Sequence, residues 1–296
     1  MKVAILSNEQ YTNQQKNTVG STRIRSTWVL KHWPEAEEFK IGVKYDAIIF
    51  QKAYFLDYLR IYDGIKILDI CDPDWMEGRP VVEAAALCDA VAVSSEGLLK
   101  YLDGILSTPV YYVPDTFDPM SHREKKEHAG RAKECVWFGY HHNQVVLDSV
   151  LPTLKRLGLT LTVISDLPYF PTSAIHGVDK GWLAANIKNV KFDPDTLNEE
   201  IIMGGDMVLN NRTDEGKFRY KSDNKTIIAW ALGMPVAKTA EDVDRFMDHD
   251  ARVFEANKRV TEVYENWTSE RTVHEYKQII TDIAAKKGLP EPYSKG

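Results

Sequence analysis

Short, nearly unbroken apolar runs alternate along this chain with longer stretches in which apolar residues return every three or four positions. Runs at 2–7 (KVAILS), 45–50 (YDAIIF), 65–70 (IKILDI), 90–94 (AVAVS) and 110–113 (VYYV) predict strands buried on both faces. Between them, 22–32 carries Ile24, Trp28, Val29 and Leu30 at helical spacing, and 55–62, 81–88 and 96–101 read the same way. Strands alternating with helices predict βαβ units and a parallel sheet.

The stretch 115–133 (DTFDPMSHREKKEHAGRAK) breaks this rhythm; it is polar and charged, with Pro119 and Gly130. It reads as a crossing between domains. The alternation then restarts with strand patterns at 134–138, 159–165, 190–192, 207–210 and 235–238. Helical patterns occur at 145–157, 223–232, 240–266 and 269–287. The expected organisation is a domain over 1–118, a linker over 119–133, a second domain over 134–266 and a terminal helix over 267–296. Two Rossmann-like α/β domains facing across a cleft would place ligands at the C-terminal ends of their strands.

Composition narrows the function. The chain has 296 residues, 44% hydrophobic and 27% charged, as ordered globular proteins do, and its formal net charge is −6. That sign lowers the expectation of a nucleic-acid partner, since phosphate binders are more often basic. The three cysteines, Cys71, Cys88 and Cys135, form no CxxC pair and suit a reducing compartment. The opening MKVAILSNEQ has no signal-peptide core, and no apolar run reaches about 18 residues, so a cytoplasmic location is expected.

The segment 221–236, KSDNKTIIAWALGMPV, carries the clearest chemistry. Ser222 or Asp223 can cap a helix starting near Asn224, while Lys221 and Lys225 place cations where the helix dipole disfavours them. A bound phosphate at that helix start would explain them; two solvated lysines on an ordinary capped helix are the competing explanation. Gly20 and Ser21 can open a helix, and Arg23 and Arg25 can meet phosphate or carboxylate. Asp72 and Asp74 follow a strand end, where an acid can orient or deprotonate a hydroxyl, although turn and cap roles are equally common. Gly139, His141 and Asn143 lie in the loop after a strand, and Arg212 and Lys217 in another. Asp69, Asp72 and Asp74 cluster as Mg²⁺ ligands can, but such clusters are common by chance, and the adjacent His141 and His142 would point in different directions, so Mg²⁺ is compatible but not required.

The 221–236 segment resembles the donor-binding stretch of GT-B glycosyltransferases of the family 4 type (family 1/4-like). Gly233, Met234, Pro235 and Val236 match that family's Gly-x-Pro-Val strand entry, and Lys221, Ser222, Asn224 and Lys225 its Lys-Ser-x-Asn-Arg helix start. The family's paired glutamates are replaced by Tyr220 and Ile228. VPDTFD at 113–118, VAVSSE at 91–96 and Trp267 with the helix after it resemble further family features in the same order. The resemblance implies a hexosyltransferase-like enzyme that transfers a sugar from a nucleotide-sugar substrate, with retention and without a resident cofactor. It implies that 1–118 is the acceptor side, with Asp72 and Asp74 catalytic and Gly20, Ser21, Arg23 and Arg25 in an acceptor or phosphate loop. Gly139, His141, Asn143, Arg212, Lys217, Lys221, Ser222, Asn224 and Lys225 would bind the donor. A glycan, a lipid-linked sugar or a modified phage DNA base would accept the sugar. A nucleotide-sugar epimerase and a non-catalytic sugar-nucleotide-binding protein are the alternatives.

Overall fold

The computed structural model describes residues 1–8, 19–171 and 174–293. It divides into two compact units. The first comprises Met1–Asp118, Glu215–Asp223 and the chain from Trp267; the second comprises Pro119–Asp214 and Asn224–Asn266. The 119–133 stretch, read above as a linker, is thus part of the second unit, and 215–223 belongs to the first.

The first unit is built on strands β1 (Val3–Ser7), β2 (Ala36–Glu38), β3 (Ala47–Gln51), β4 (Ile65–Ile70), β5 (Ala90–Val93) and β6 (Val110–Tyr112), in the order β2-β1-β3-β4-β5-β6. Every pairing is parallel. The unbroken apolar runs have a simple cause: successive side chains go to opposite faces, and both faces are covered. Val3, Ile5, Ala47, Ile49, Ile65 and Ile67 join one core cluster. Their immediate neighbours Ala4, Leu6, Ile48, Phe50, Leu68 and Ile70 join the other. The helix Ser269–Lys286 covers the first face, contributing Val273, Tyr276, Ile279, Ile280 and Ile283 at helical spacing. Its entry is tied down where Phe117 accepts from Ser269 and donates to Trp267 through the backbone.

The second unit holds β7 (Glu134–Phe138), β8 (Thr160–Ser165), β9 (Ile187–Lys191), β10 (Met207–Leu209) and β11 (Val236–Ala237), in the order β11-β10-β7-β8-β9. All of its pairings are also parallel. The chain winds from β7 outward through β8 to β9, then returns to the other flank of β7 with β10. The switch point therefore lies between the C-terminal ends of β7 and β10, which is where open α/β sheets form crevices.

Local patterns misled the sequence reading at several places. β2 is an edge strand of polar sequence (AEE) held by backbone pairing with β1, so no apolar signal marks it. The helices Lys180–Asn186 and Leu197–Met203 are short and were unmarked. The expected helix 145–157 is a 3-10 stretch His141–Ser149 followed by a helix Leu151–Leu157. The expected helix 240–266 is two, Ala240–Arg245 and His249–Asn266. The break comes where Phe246 and Met247 turn into the core and Asp248 accepts from the Ala251 N–H to start the next helix. Among the described residues, no helix is long and apolar enough to cross a membrane.

Candidate active site

At the switch point of the second sheet, β7 ends in Trp137 and Phe138 and the chain turns at Gly139, whose φ is 150°. A Cβ there would lie 3.1 Å from the Lys225 Nζ and 3.2 Å from the Trp137 ring. Glycine thus leaves room for the lysine to lie against the backbone. Lys225 is the second residue of the helix Asn224–Ala231, and its Nζ is 4.0 Å from the Trp137 ring centroid and 5.6 Å from that of Phe138. An ammonium over an indole face is attracted by the ring quadrupole. Behind it, Asn210, which follows β10, donates to the Thr226 hydroxyl at 2.9 Å, and both side chains are buried. This pair ties the end of β10 to the first turn of that helix. The site therefore combines a cation, a close backbone approach and a helix start, three features that favour an anion.

The loop after Gly139 is clipped to the end of β8. Asp166 accepts the His141 backbone N–H at 2.8 Å and pairs with its Nδ1 at 2.6 Å. The Ser165 hydroxyl reaches the Gly139 carbonyl at 2.7 Å and Asp166 at 3.1 Å. Burial pushes the Asp166 carboxyl upward, but the His141 ring, the His141 N–H and the Ser165 hydroxyl outweigh it and hold its pKa below the usual carboxylate value.

Comparison with known proteins adds the fold. No family model and no curated protein matches the sequence. Solved structures do. The lipopolysaccharide outer core galactosyltransferase WaaB matches with a TM-score of 0.53 and 10% identity, over 97% of this chain and 100% of that one. AviGT4, a glycosyltransferase involved in avilamycin A biosynthesis, matches with a TM-score of 0.50 and 10% identity, over 96% of this chain and 98% of that one. A glycosylation-associated protein complex from Streptococcus agalactiae matches at 13% identity with a TM-score of 0.38; 81% of this chain spans about half (52%) of that one. The chain has the two-sheet α/β fold of GT-B glycosyltransferases.

The predicted donor residues are divided between the two units. Gly139, His141, Asn143, Arg212, Asn224 and Lys225 belong to the second unit, whereas Lys217, Lys221 and Ser222 belong to the first. Asn143 is half-buried, with its backbone N–H on the Tyr140 carbonyl and its side-chain oxygen buried without a partner among the described residues. Arg212 lies half-buried beyond β10, and the Lys217 Nζ is 5.6 Å from the Phe218 ring. Ser222 donates to Asp115, and Lys221 pairs with Asp72.

In the first unit, Gly20 and Ser21 do open a short helical turn, Gly20–Thr22, and the half-buried Arg23 lies 5.7 Å from the Trp28 ring. Arg25, expected in a ligand loop, is instead 1% exposed. Its guanidinium meets Asp69 at 2.8 Å and Asp115 at 2.9 Å, and it donates to the Val113 carbonyl and the Tyr276 hydroxyl. Its π-helical turn Arg23–Thr27 aims it inward, so it joins four parts of the unit and has no surface left for a ligand.

Asp72 and Asp74 lie beyond β4 in a charged cluster that sequence reasoning did not complete. Lys52 reaches Asp72 at 2.7 Å and Asp74 at 3.0 Å, and the Tyr54 hydroxyl donates to Asp74 at 2.5 Å. Lys52 is the one non-glycine residue with positive φ (50°) among the described residues, a strained conformation that brings its side chain to both acids. Burial works against the Lys52 ammonium, but Cys71, Asp72 and Asp74 outweigh it and hold its pKa above the usual lysine value. Burial also pushes Asp72 up, yet Lys52 and Lys221 bring its pKa below the usual carboxylate value. For Asp74, 2% exposed, burial prevails and the pKa is raised. The signal for Lys52 and Asp166 was present but weak: each is a charged residue immediately after an apolar strand. Among the described residues, no group of three or more histidine, cysteine or acidic side chains is arranged to hold a metal.

Proposed function

We infer that the protein is a glycosyltransferase that moves a hexose-like sugar from a nucleotide-sugar donor to an acceptor hydroxyl on a glycan or lipid-linked sugar, with retention of configuration. The observation that carries this is Lys225, laid against Gly139 at the switch point of the second sheet beside a helix start. In the reaction the bond from the sugar's anomeric carbon to the diphosphate oxygen breaks, and its electron pair leaves with the diphosphate. The acceptor oxygen forms the new bond, and its proton passes to the departing diphosphate oxygen. A fixed ammonium and helix N–H groups stabilise charge where it grows, which is usually the largest catalytic contribution. The fold shared with WaaB and AviGT4 supports the reading at the level of architecture.

On the first unit, Asp72 is held ionised by two lysines. A carboxylate with a lowered pKa is a weak base, so Asp72 suits orienting an acceptor hydroxyl better than taking its proton. The nucleotide-sugar is a substrate, and the reading calls for no resident cofactor. The test is product analysis over a panel of nucleotide sugars, with and without acceptor saccharides. Release of nucleoside diphosphate coupled to glycosylated acceptor is expected. Isomerised sugar formed without acceptor would make the protein an epimerase instead. Absence of turnover together with absence of any thermal stabilisation by nucleoside diphosphates would overturn the reading.

A further inference from the structure

The Lys225 helix is entered from a segment that belongs to the other unit. Glu215–Asp223 is part of the first unit, whereas the stretches ending at Asp214 and starting at Asn224 are part of the second. Arg219 through Ser222 fasten the segment there. At Arg219 its backbone lies so close to the helix Glu96–Asp103 that a Cβ on Gly97 would stand 2.0 Å from the Arg219 carbonyl oxygen. The Tyr220 carbonyl accepts from the Ser95 hydroxyl at 2.7 Å, and the same hydroxyl accepts the Leu98 N–H as the cap of that helix. The Tyr220 ring stands edge-on to Trp75 and Tyr101, with centroids 5.1 and 5.4 Å away, and those two rings stack on each other. The Lys221 ammonium is on Asp72, and the Ser222 hydroxyl donates to Asp115, which Arg25 also holds. Asn224 then begins the helix whose second residue is Lys225.

We propose that this segment is an anchor, with Tyr220, Lys221 and Ser222 as positioning residues that fix the entry of the Lys225 helix. This rests on the reading of that helix start as the seat of the donor's diphosphate. The first N–H groups of a helix have no partner inside it, and a first turn frays unless its entry is held. An anion that must order such a turn loses part of its binding energy to the ordering; a turn already ordered leaves that energy to the contact. Lys221 and Ser222 lie within about one helical turn of Lys225 along the chain, so holding them limits where Lys225 can go. Gly97 is the counterpart of the anchor. Inside a helix glycine is less stable than alanine, yet alanine has no room here, because the atom it would meet belongs to backbone and cannot turn aside. The anchor also gives Lys221 and Ser222 a role other than the donor contact expected of them, since their side chains are engaged by Asp72 and Asp115.

The experiment uses the full chain, with inorganic pyrophosphate as the probe in calorimetry, timed trypsin cleavage after Lys217, Arg219 and Lys221, and a thermal melt of each variant. Gly97→Ala and Tyr220→Ala should each weaken pyrophosphate binding about three- to tenfold and speed cleavage within the segment. Tyr220→Phe keeps the ring, and it should bind pyrophosphate and resist trypsin as the wild type does. Affinities are compared below the melting transition of every variant, so that a loss reports the helix entry and not unfolding. Should Gly97→Ala fail to fold, the two Tyr220 variants decide. Faster cleavage with wild-type affinity in Gly97→Ala and Tyr220→Ala overturns the positioning role and leaves the donor-site reading standing, as does wild-type behaviour in both measurements. An equal loss of affinity in Tyr220→Phe and Tyr220→Ala would make the hydroxyl a ligand contact and overturn the anchor as well. A wild-type chain that binds no pyrophosphate removes the donor-site reading itself, and the positioning role falls with it.

Discussion

Both sheets have charged residues at or near the C-terminal ends of their strands, but in different settings. In the first unit, cations and carboxylates answer one another: Arg25 lies between Asp69 and Asp115, and Asp72 lies between Lys52 and Lys221. In the second unit, the Lys225 Nζ lies over the Trp137 ring, and the His141 ring is held by the Asp166 carboxylate and packs against the His142 ring, with centroids 3.7 Å apart. A paired and buried charge organises the chain, because removing either partner strands the other in a low dielectric. Charge at a strand end is therefore no evidence of a binding site until its partners are known.

The largest effect should come from breaking the closed arrangement. Replacing Arg25 with Met keeps the volume but leaves Asp69 and Asp115 without their cation, at a cost of about 3–5 kcal/mol. Urea unfolding should show the midpoint falling steeply, or a chain that does not fold. A variant of near-wild-type stability would mean that the Arg25 network is not the hub its geometry indicates.

A smaller, ligand-specific effect is expected in the second unit. Lys225→Ala should weaken nucleoside diphosphate binding by about ten- to a hundredfold, or about 1.4–2.8 kcal/mol, and leave folding intact. Binding of the bare nucleoside should change little, because it carries no phosphate to lose. Calorimetry on both ligands checks this. Equal losses for the two would show that Lys225 supports the fold or the base rather than the phosphates, and the contrast between the units would collapse.

The smallest effect concerns Asp72 and depends on pH. Its folded-state pKa is depressed by Lys52 and Lys221, so its contribution to stability is present above the unfolded carboxylate value of about 3.9. That contribution is lost as pH falls through the lower folded value, where the acid protonates in both states. Asp72→Asn should therefore cost about 1–2 kcal/mol at neutral pH, and the gap to wild type should close in strongly acidic buffer. Urea melts of both chains across that range measure it. A gap that persists unchanged in acid would assign the loss to packing instead of charge.

What the sequence determined by itself is the alternation of strands and helices and the parallel, doubly covered character of both sheets. The physical reason is local: a strand covered on both faces must be apolar at every position, as 2–7, 45–50, 65–70 and 134–138 nearly are. The terminal helix was legible for the same kind of reason, since Val273, Tyr276, Ile280 and Ile283 fall on one face. The Lys225 helix start and Gly139 were also legible, because backbone geometry and helix caps leave short-range marks. Only the tertiary structure decided which charges meet. Arg25 and Asp69 are joined across 44 residues, Lys221 and Asp72 across 149, and His141 and Asp166 across 25. No local pattern encodes such pairs: an arginine that will be buried against two carboxylates and one that will face a ligand look alike until the strands before and after them are laid side by side.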